Sequence, residues 1–220
     1  MADTRSPLPA SPSPVTRPTI VSPDTLRAGG DRAARTPPGQ TLTAKWPVLH
    51  YGNVPKVDPH AESWELRVFG AACDAPYELS YAELKALPTV DVKCDMHCVT
   101  HWSRLDNVFT GVPTKLLVDR AKPRADARYV MCHGENGFTT NLPIAAFTGE
   151  DCVLAWAWDG KDLTPDHGYP LRGVVPQLYL WKSAKWIRAI EIRTADAPGF
   201  WEQNGYHMRG DPWKEERFGW

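Results

Sequence analysis

Residues 89–103 read TVDVKCDMHCVTHWS, a short alternating run that leads directly into a cluster of cysteines and histidines. The alternation of apolar and polar residues over 89–94 is typical of a β-strand. The cluster places Cys94, His97, Cys98 and His101 within eight residues. Thiols and imidazoles are the side chains that bind soft and borderline metals, so a strand pattern and a candidate site meet here.

Three interpretations of this cluster are open. A structural zinc site would use all four side chains, but such sites usually join two separated ligand pairs, and no second pair lies at a distance here. On an alternating strand Cys94 and Cys98 share one face while His97 takes the other. Both cysteines are equally well explained as small hydrophobic residues buried at a strand end. The third interpretation is a thiol with a chemical role, because the chain has five cysteines, an odd number that disfavours a disulfide framework.

Other stretches on both sides of the cluster predict further short strands. They are SWELRVF at 63–69, the stretch at 129–132, CVLAWAW at 152–158 and WIRAIEI at 186–192. CVLAWAW is apolar throughout and predicts a central strand. In WIRAIEI the alternation predicts one face made of Trp186, Arg188, Ile190 and Ile192.

Helix signals are fewer. Ser80 and Glu83 form a capping box that predicts a short helix ending before Pro88, and Pro113 precedes the helical pattern TKLLVDRA. Strands therefore outnumber helices without regular alternation between them. This organisation predicts an α+β fold, a single mixed-sheet domain, rather than a doubly wound parallel sheet.

The first 40 residues differ in composition from the rest. They contain eight of the 21 prolines, and no aromatic residue occurs before Trp46. Such a segment buries too little apolar surface to offset its ordering entropy. The sequence therefore predicts a disordered Pro-rich tail at 1–40 and one domain at 41–220.

Charge and hydropathy exclude several classes of protein. The net charge is −1, so no overall field attracts nucleic acid or an anionic membrane. No run of about 18 apolar residues predicts a membrane span, and no export signal is recognisable. We therefore expect a cytoplasmic protein that is not embedded in a membrane and binds no nucleic acid.

Two further stretches are rich in candidate binding residues. HGYPLRGVVPQLYLWKSAKWIR at 167–188 carries Arg172 and Lys185 beside tryptophans, a combination that suits an anion next to a heterocycle. Its alternative explanation is a solvated basic edge with tryptophans packed beneath. The aromatic stretch at 198–220 predicts a C-terminal segment pinned over the core by Trp201, Tyr206 and Trp213.

Five ordered stretches resemble the molybdopterin-binding oxidoreductase domain of the sulfite oxidase superfamily, in particular its small stand-alone bacterial members. They are WPVLHYGNVP (46–55), CVTHWSRLDNVFTGVP (98–113), GFTTNLP (137–143), HGYPLRGVVPQLYLWKSAKWIR (167–188) and PGFWEQNGYHMRGDPW (198–213). The resemblance implies that family's fold, a molybdopterin cofactor and no haem. It also implies two-electron transfer of an oxygen atom on a small substrate, either sulfite-like or a sulfoxide or N-oxide.

The resemblance also implies roles for individual residues. Cys98 is the expected molybdenum ligand, because it precedes Trp102-Ser103 and the stretch at 109–113 as the ligand does in the family. The expected cofactor-binding residues are His50, Tyr51, His167, Arg172, Ser183, Ala184 and Lys185. His101 and His133 are expected near the metal as proton relays, with structural packing as their alternative.

The sequence also bears on the electron partner and on alternative functions. Electrons would be exchanged with an unknown donor or acceptor protein, a quinone or oxygen, because the chain has no length for a haem domain. The basic sulfite pocket of true sulfite oxidases is not obviously reproduced. The alternative functions are a non-catalytic pterin-binding or scaffold protein, and a zinc module on Cys94, His97, Cys98 and His101.

Overall fold

Two β-sheets dominate the computed structural model, which describes residues 17–219. The strands are β1 (Thr19–Val21), β2 (Thr41–Leu42), β3 (Leu66–Phe69), β4 (Tyr77–Leu79), β5 (Val90–His97), β6 (Trp102–Pro113), β7 (Tyr129–Gly134), β8 (Thr139–Pro143), β9 (Val153–Trp158), β10 (Lys161–Asp162), β11 (Arg172–Val174) and β12 (Ile187–Arg193). The helices are α1 (Tyr81–Ala86), α2 (Thr114–Arg120), α3 (Ile144–Phe147) and α4 (Phe200–Gln203). Across the described residues, no helix has the length and apolar character needed to cross a bilayer.

Both sheets are mixed. The larger has the order β1-β5-β6-β9-β10, with β2 also paired to β6 and β11 to β9. The smaller has the order β4-β3-β12-β7-β8. The pairs β1/β5, β2/β6 and β3/β12 are parallel and the remaining pairs are antiparallel. Mixed pairing with few, short helices confirms the predicted α+β mixed-sheet fold.

Strand β9 is buried on both faces. Leu154 and Trp156 belong to the hydrophobic cluster shared with the smaller sheet, while Val153 and Ala155 belong to a second cluster on the opposite side. A strand with two buried faces needs no polar alternation. This explains the uniformly apolar CVLAWAW and confirms its prediction as a central strand.

The longest strand, β6, was not predicted from the sequence. Its inward positions include Ser103 and Asn107, which are both fully buried. These polar residues interrupt the apolar alternation by which a strand is recognised in sequence. The Ser103 hydroxyl forms a hydrogen bond with His97 Nδ1 at 2.8 Å, and the Asn107 side-chain amide donates to the carbonyls of Cys94 and Arg104. Buried polar groups with complete hydrogen bonds are tolerated in a strand, but they hide its pattern.

The predicted face of the 186–192 stretch is confirmed for Ile190 and Ile192 and was wrong for Trp186 and Arg188. The pairing of β12 with β7 shifts register between Ile187 and Ala189, so Ile187 joins the core together with Ile190 and Ile192. Trp186 lies before the strand with a φ of 53°. An irregularity of this kind reverses the side-chain alternation on one side of it.

Both predicted helices are present. The Ser80 hydroxyl accepts the N–H of Glu83 and the Glu83 carboxylate accepts the N–H of Ser80, at 3.3 and 2.8 Å, so the capping box is formed. Helix α1 ends at Ala86, before Pro88, and α2 begins directly after Pro113.

Residues 17–40 differ from the disordered tail that composition predicts. Strand β1 pairs with β5, and the Arg35 guanidinium donates to both carboxylate oxygens of Asp95 at 2.9 and 2.7 Å. Both side chains are almost completely buried. The segment is held mainly by polar contacts, among them Ser22 Oγ to Asp151 Oδ2 at 2.6 Å, and apolar content does not report such contacts. Residues 17–40 therefore belong to the folded part, and 1–16 lie outside the described residues.

Candidate active site

A cavity of about 270 Å³ opens beside the turn that joins β5 to β6. Its walls come from the loop at 46–51, the turn at 98–102, Glu135 with Phe138, the segment at 167–186 and the C-terminal residues Trp201 and Tyr206. The predicted site residues that line it are Cys98, His50, Tyr51, His167, Arg172, Ser183, Ala184 and Lys185. Residues far apart in sequence therefore meet at one cavity, as the resemblance implied.

Cys98 is the only cysteine among the described residues that lines this cavity. It follows the last residue of β5, and its N–H donates to the Trp102 carbonyl at 2.9 Å, which closes the turn. Its Sγ lies 3.1 Å from Thr100 Oγ1, and the residue is 6% exposed. Burial raises the pKa of the Cys98 thiol, so a thiolate here needs a compensating positive centre such as a metal.

Arg172 is a buried cation without a carboxylate partner among residues 17–219. It begins β11, is 4% exposed, and its guanidinium donates to three main-chain carbonyls, those of His167, Gly173 and Ser183, at 2.9 to 3.2 Å. Burial lowers the pKa of Arg172 to about 10. Neutral carbonyls hold the side chain in place but leave its charge uncompensated.

Lys185 is a half-buried amine beside Arg172, and it too has no carboxylate partner among residues 17–219. Its backbone bridges to that of Arg172, and its Nζ donates to the carbonyls of Leu49 and Asp166 at 2.9 and 2.8 Å. Burial, together with the positive charge of Arg172, lowers the pKa of Lys185 to about 7. Two adjacent uncompensated cations favour an anion at this end of the cavity.

Aromatic rings form the wall around these cations. The Trp46 ring lies 4.0 Å from the His167 ring, and the Arg172 guanidinium sits 5.1 Å from the same indole. His167 Nε2 also donates to the Trp46 carbonyl at 3.2 Å, and burial lowers the pKa of His167, so its imidazole is neutral near pH 7. His50 packs edge-on against Trp186 at 5.7 Å. Such flat surfaces suit a planar heterocycle.

The C-terminal wall was predicted only as packing. The Tyr206 ring stacks on Trp201 at 4.9 Å and meets Trp181 edge-on at 5.1 Å. All three rings line the cavity, as do Trp46 and Trp102. The density of aromatic residues in the 198–213 stretch signalled a buried surface, but it did not distinguish a core from a cavity wall.

His101 and His133 do not line the cavity, so the structure does not bring these two predicted residues to the site. His101 is exposed at a φ of 67°, and its Nδ1 donates to the Gly39 carbonyl at 2.9 Å. His133 lies on the smaller sheet, where its Nε2 is 3.1 Å from Glu191 Oε2. His101 was predicted near the metal because it lies close to Cys98 in sequence. The turn instead directs its ring to the Gly39 carbonyl, outside the cavity lining.

The zinc alternative was also wrong. Among residues 17–219, no three His, Cys, Asp or Glu side chains converge as ligands for one metal ion. Cys94 is buried in the second hydrophobic cluster, and His97 turns to Ser103 and Trp213. Cys98 faces the cavity and His101 faces Gly39, so the four side chains point to four different surroundings.

Residues 51–201 match the family profile described as oxidoreductase molybdopterin binding domain, which covers more than half of the chain. The chain belongs to the sulfite oxidase family of molybdopterin-binding oxidoreductases. This confirms the resemblance found in the sequence, and it makes the chain an oxidoreductase whose substrate is unassigned.

The relatives of this sulfite oxidase family domain carry different functional names. An uncharacterized oxidoreductase of Bacillus subtilis, YuiH, is 50% identical over 190 residues, which are 86% of this chain and 95% of that protein. A putative protein-methionine-sulfoxide reductase subunit of Azospira oryzae is 28% identical over 79% of this chain and 66% of its own length. Sulfite oxidase of Arabidopsis thaliana is 27% identical over 72% of this chain and 49% of its own length. The chain thus spans only about half of the plant enzyme.

A solved structure supports the fold. The sulfane dehydrogenase SoxCD of Paracoccus pantotrophus superposes with a TM-score of 0.61 at 18% identity, over 71% of this chain and 43% of that one. At this identity the likeness concerns the fold of the sulfite oxidase family domain.

Proposed function

We propose that this chain is a molybdopterin-dependent oxidoreductase in which the Cys98 thiolate binds the molybdenum. The observation that carries the proposal is the arrangement of one cavity. Among the described residues, its wall holds a single buried cysteine, together with the buried Arg172 and the half-buried Lys185, neither of which has a carboxylate partner. A thiol and an anion site that share one aromatic cavity are what a metal-bearing, phosphorylated heterocycle requires.

The residues present fit that cofactor. A soft thiolate donor suits a metal whose other ligands are sulfur. Arg172 and Lys185 would hold the phosphate through charge-assisted hydrogen bonds, with Ser183 and Ala184 forming the wall between them. His50, Tyr51 and His167 would contact the ring system. When bound, the cofactor supplies a two-electron metal centre that exchanges an oxygen atom with substrate.

The charges of the cavity favour a neutral substrate. Within 17–219, Arg172 and Lys185 are the only arginine and lysine that line it, and both belong to the anion site. The lining residues on and near the cysteine turn are uncharged, among them Thr100, Trp102 and Tyr206. An oxyanion such as sulfite would find no further cation, whereas a sulfoxide or N-oxide would bury apolar groups against rings. The methionine-sulfoxide reductase name of one relative agrees with this choice.

Metal analysis together with substrate assays tests the proposed function. We expect protein purified from a host that makes the cofactor to contain stoichiometric molybdenum and to reduce sulfoxides or N-oxides with an artificial electron donor. Sulfite oxidation should be slow or absent under the same conditions. Protein that contains molybdenum yet is inert to every substrate would support the scaffold alternative. Protein without molybdenum would contradict the proposal. The physiological electron partner, a donor protein or a quinone, and the cytoplasmic location stay predictions.

The charge state of Lys185 predicts a pH dependence for anion binding. With a pKa of about 7 in the free protein, Lys185 is charged below that pH and neutral above it. A bound anion favours the charged form, so the affinity should fall as the pH rises above 7, by up to about tenfold per pH unit. Sulfate is a suitable probe because its charge is constant over this range. We expect titration calorimetry of cofactor-free protein to show this fall, and Lys185→Met to bind more weakly with little pH dependence. An equal fall in the variant would assign the effect to another group.

A further inference from the structure

The turn at 98–102 receives a hydrogen bond from a residue beyond the family-matched range of 51–201. Arg217 Nη1 donates to the Val99 carbonyl at 2.7 Å, directly beside Cys98. The Arg217 side chain is 8% exposed, and its guanidinium lies 4.9 Å from the centre of the Tyr179 ring. Within residues 17–219, the nearest carboxylate oxygen to the Arg217 guanidinium is Glu215 Oε1, 3.8 Å from Nη2, and the Val99 carbonyl of the turn is its shortest polar contact.

The backbone around Arg217 is fixed to the cavity wall. The carbonyl of Arg217 accepts the N–H of His207 at 3.2 Å, and Tyr206 and Phe218 form an antiparallel bridge. Gly219 N–H also donates to the Gly205 carbonyl at 3.0 Å. The C-terminal segment therefore pairs with Tyr206, a residue of the cavity, directly after Arg217 contacts the turn.

The segment before residue 51 also contacts the turn. Gln40 Nε2 donates to the Cys98 carbonyl at 3.0 Å, and the Gly39 carbonyl accepts from His101 Nδ1 at 2.9 Å. His101 has a φ of 67°, a left-handed conformation that a residue with a side chain keeps only where its surroundings impose it.

Both segments meet at Gly39, where a Cβ would lie 2.6 Å from Glu215 Oε1 and 3.3 Å from Arg217 Nη2. Gly39 itself has a φ of 67°. The left-handed backbone favours glycine at this position, where the two segments contact each other.

We propose that Arg217 and Gln40 are positioning residues that clamp the 98–102 turn through the carbonyls of Val99 and Cys98 and so fix the sulfur of Cys98 in the cavity wall. That a metal is what the sulfur meets rests on the proposed function, whereas the clamp itself rests on the contacts above. A ligand held on a short turn keeps its direction only if groups behind the turn restrain it. The clamp performs this task with one charged and one neutral donor.

Hydrogen exchange of the cofactor-free protein tests the clamp without any metal. In Arg217→Ala we expect the amides of Cys98 and His101 to exchange roughly tenfold faster, as a charge-assisted hydrogen bond is lost. Arg217→Lys should restore part of the protection, because lysine can still donate to the Val99 carbonyl. The matched control Arg209→Ala, at an exposed position beyond the clamp, should change nothing.

Amides of β9 serve as the internal reference for global opening. If they accelerate together with the turn, Arg217 stabilises the whole domain and the clamp is refuted; unchanged exchange in the turn refutes it equally. Should Arg217→Ala fail to fold, Gln40→Ala removes only the neutral donor to the Cys98 carbonyl, and it must accelerate the same amides.

The loaded protein gives a second readout. Arg217→Ala should alter the electron paramagnetic resonance spectrum of partly reduced protein, which depends on the direction of the metal–sulfur bond, and Arg217→Lys should recover it. A turn that loosens in a protein devoid of molybdenum would keep the clamp and reject the proposed function. A spectrum that stays identical in Arg217→Ala would reject the role of the clamp toward the metal.

Discussion

We expect Cys98→Ser to lower kcat by at least about 100-fold. Losses of up to about 100-fold are typical when a residue that only supports a metal ligand is replaced, and loss of the ligand itself should cost at least as much. A serine oxygen is a harder donor than a thiolate and is protonated at neutral pH, so it cannot replace the sulfur in the inner sphere of a soft metal centre. The proposed phosphate-binding residues remain in this variant, because Arg172 and Lys185 lie in another segment of the chain. The pterin should therefore be retained better than the activity. Elemental analysis and steady-state assays on the same preparation measure both quantities.

The matched control is Cys73→Ser. The Cys73 thiol is half-buried, donates to the Gly70 carbonyl and does not line the cavity, and a serine hydroxyl can make the same contact. We expect this variant to keep its metal and its activity. Full molybdenum content and full activity in Cys98→Ser would remove the basis for the proposed function.

Arg172→Met should produce the second large effect, a loss of cofactor retention. The substitution preserves much of the side-chain volume but removes the buried guanidinium of the proposed anion site. A charge-assisted hydrogen bond contributes about 1.5 to 3 kcal/mol, so the affinity for the cofactor should fall by roughly 10 to 150-fold. The carbonyls of His167 and Ser183 also lose their donor, which adds a cost in stability. Molybdenum and pterin per chain after gel filtration measure the retention.

Arg67→Met provides the control for loss of an arginine elsewhere. Arg67 lies on β3, is half-exposed, and contacts Glu78 on the neighbouring strand, away from the cavity. It should retain the cofactor fully, and thermal melts should show both variants to be folded. Intact loading of a folded Arg172→Met protein would mean that the anion site lies elsewhere.

The sequence predicted those parts of the fold in which burial and polarity agree. CVLAWAW is apolar on both faces, and β9 is buried on both; the capping box of α1 is a local hydrogen-bond pattern that needs no tertiary context. Strand β6 was missed because Ser103 and Asn107 are buried polar residues whose partners are set by the tertiary structure. The register shift in β12 likewise has no local signal in the sequence, because it arises from the pairing of β12 with β7.

The sequence also predicted only part of the candidate site. Order and spacing of motifs brought the cysteine, the cations and the loop histidine to one cavity, which periodicity alone would not have done. His101 was misplaced because its direction depends on a left-handed turn and on Gly39, which lies 62 residues away. Trp201 and Tyr206 were interpreted as packing, because aromatic composition is the same for a core and for the wall of a cavity.

The buried pair of Arg35 and Asp95 has a practical consequence for experiments on isolated fragments. A protein trimmed to the family-matched range of 51–201 would keep the carboxylate of Asp95 inside β5 and discard the cation that neutralises it. An uncompensated charge in that position should weaken the strand that leads to Cys98. Expression of the minimal domain would then yield an insoluble or cofactor-free product, and such a failure would say nothing about the enzyme's competence.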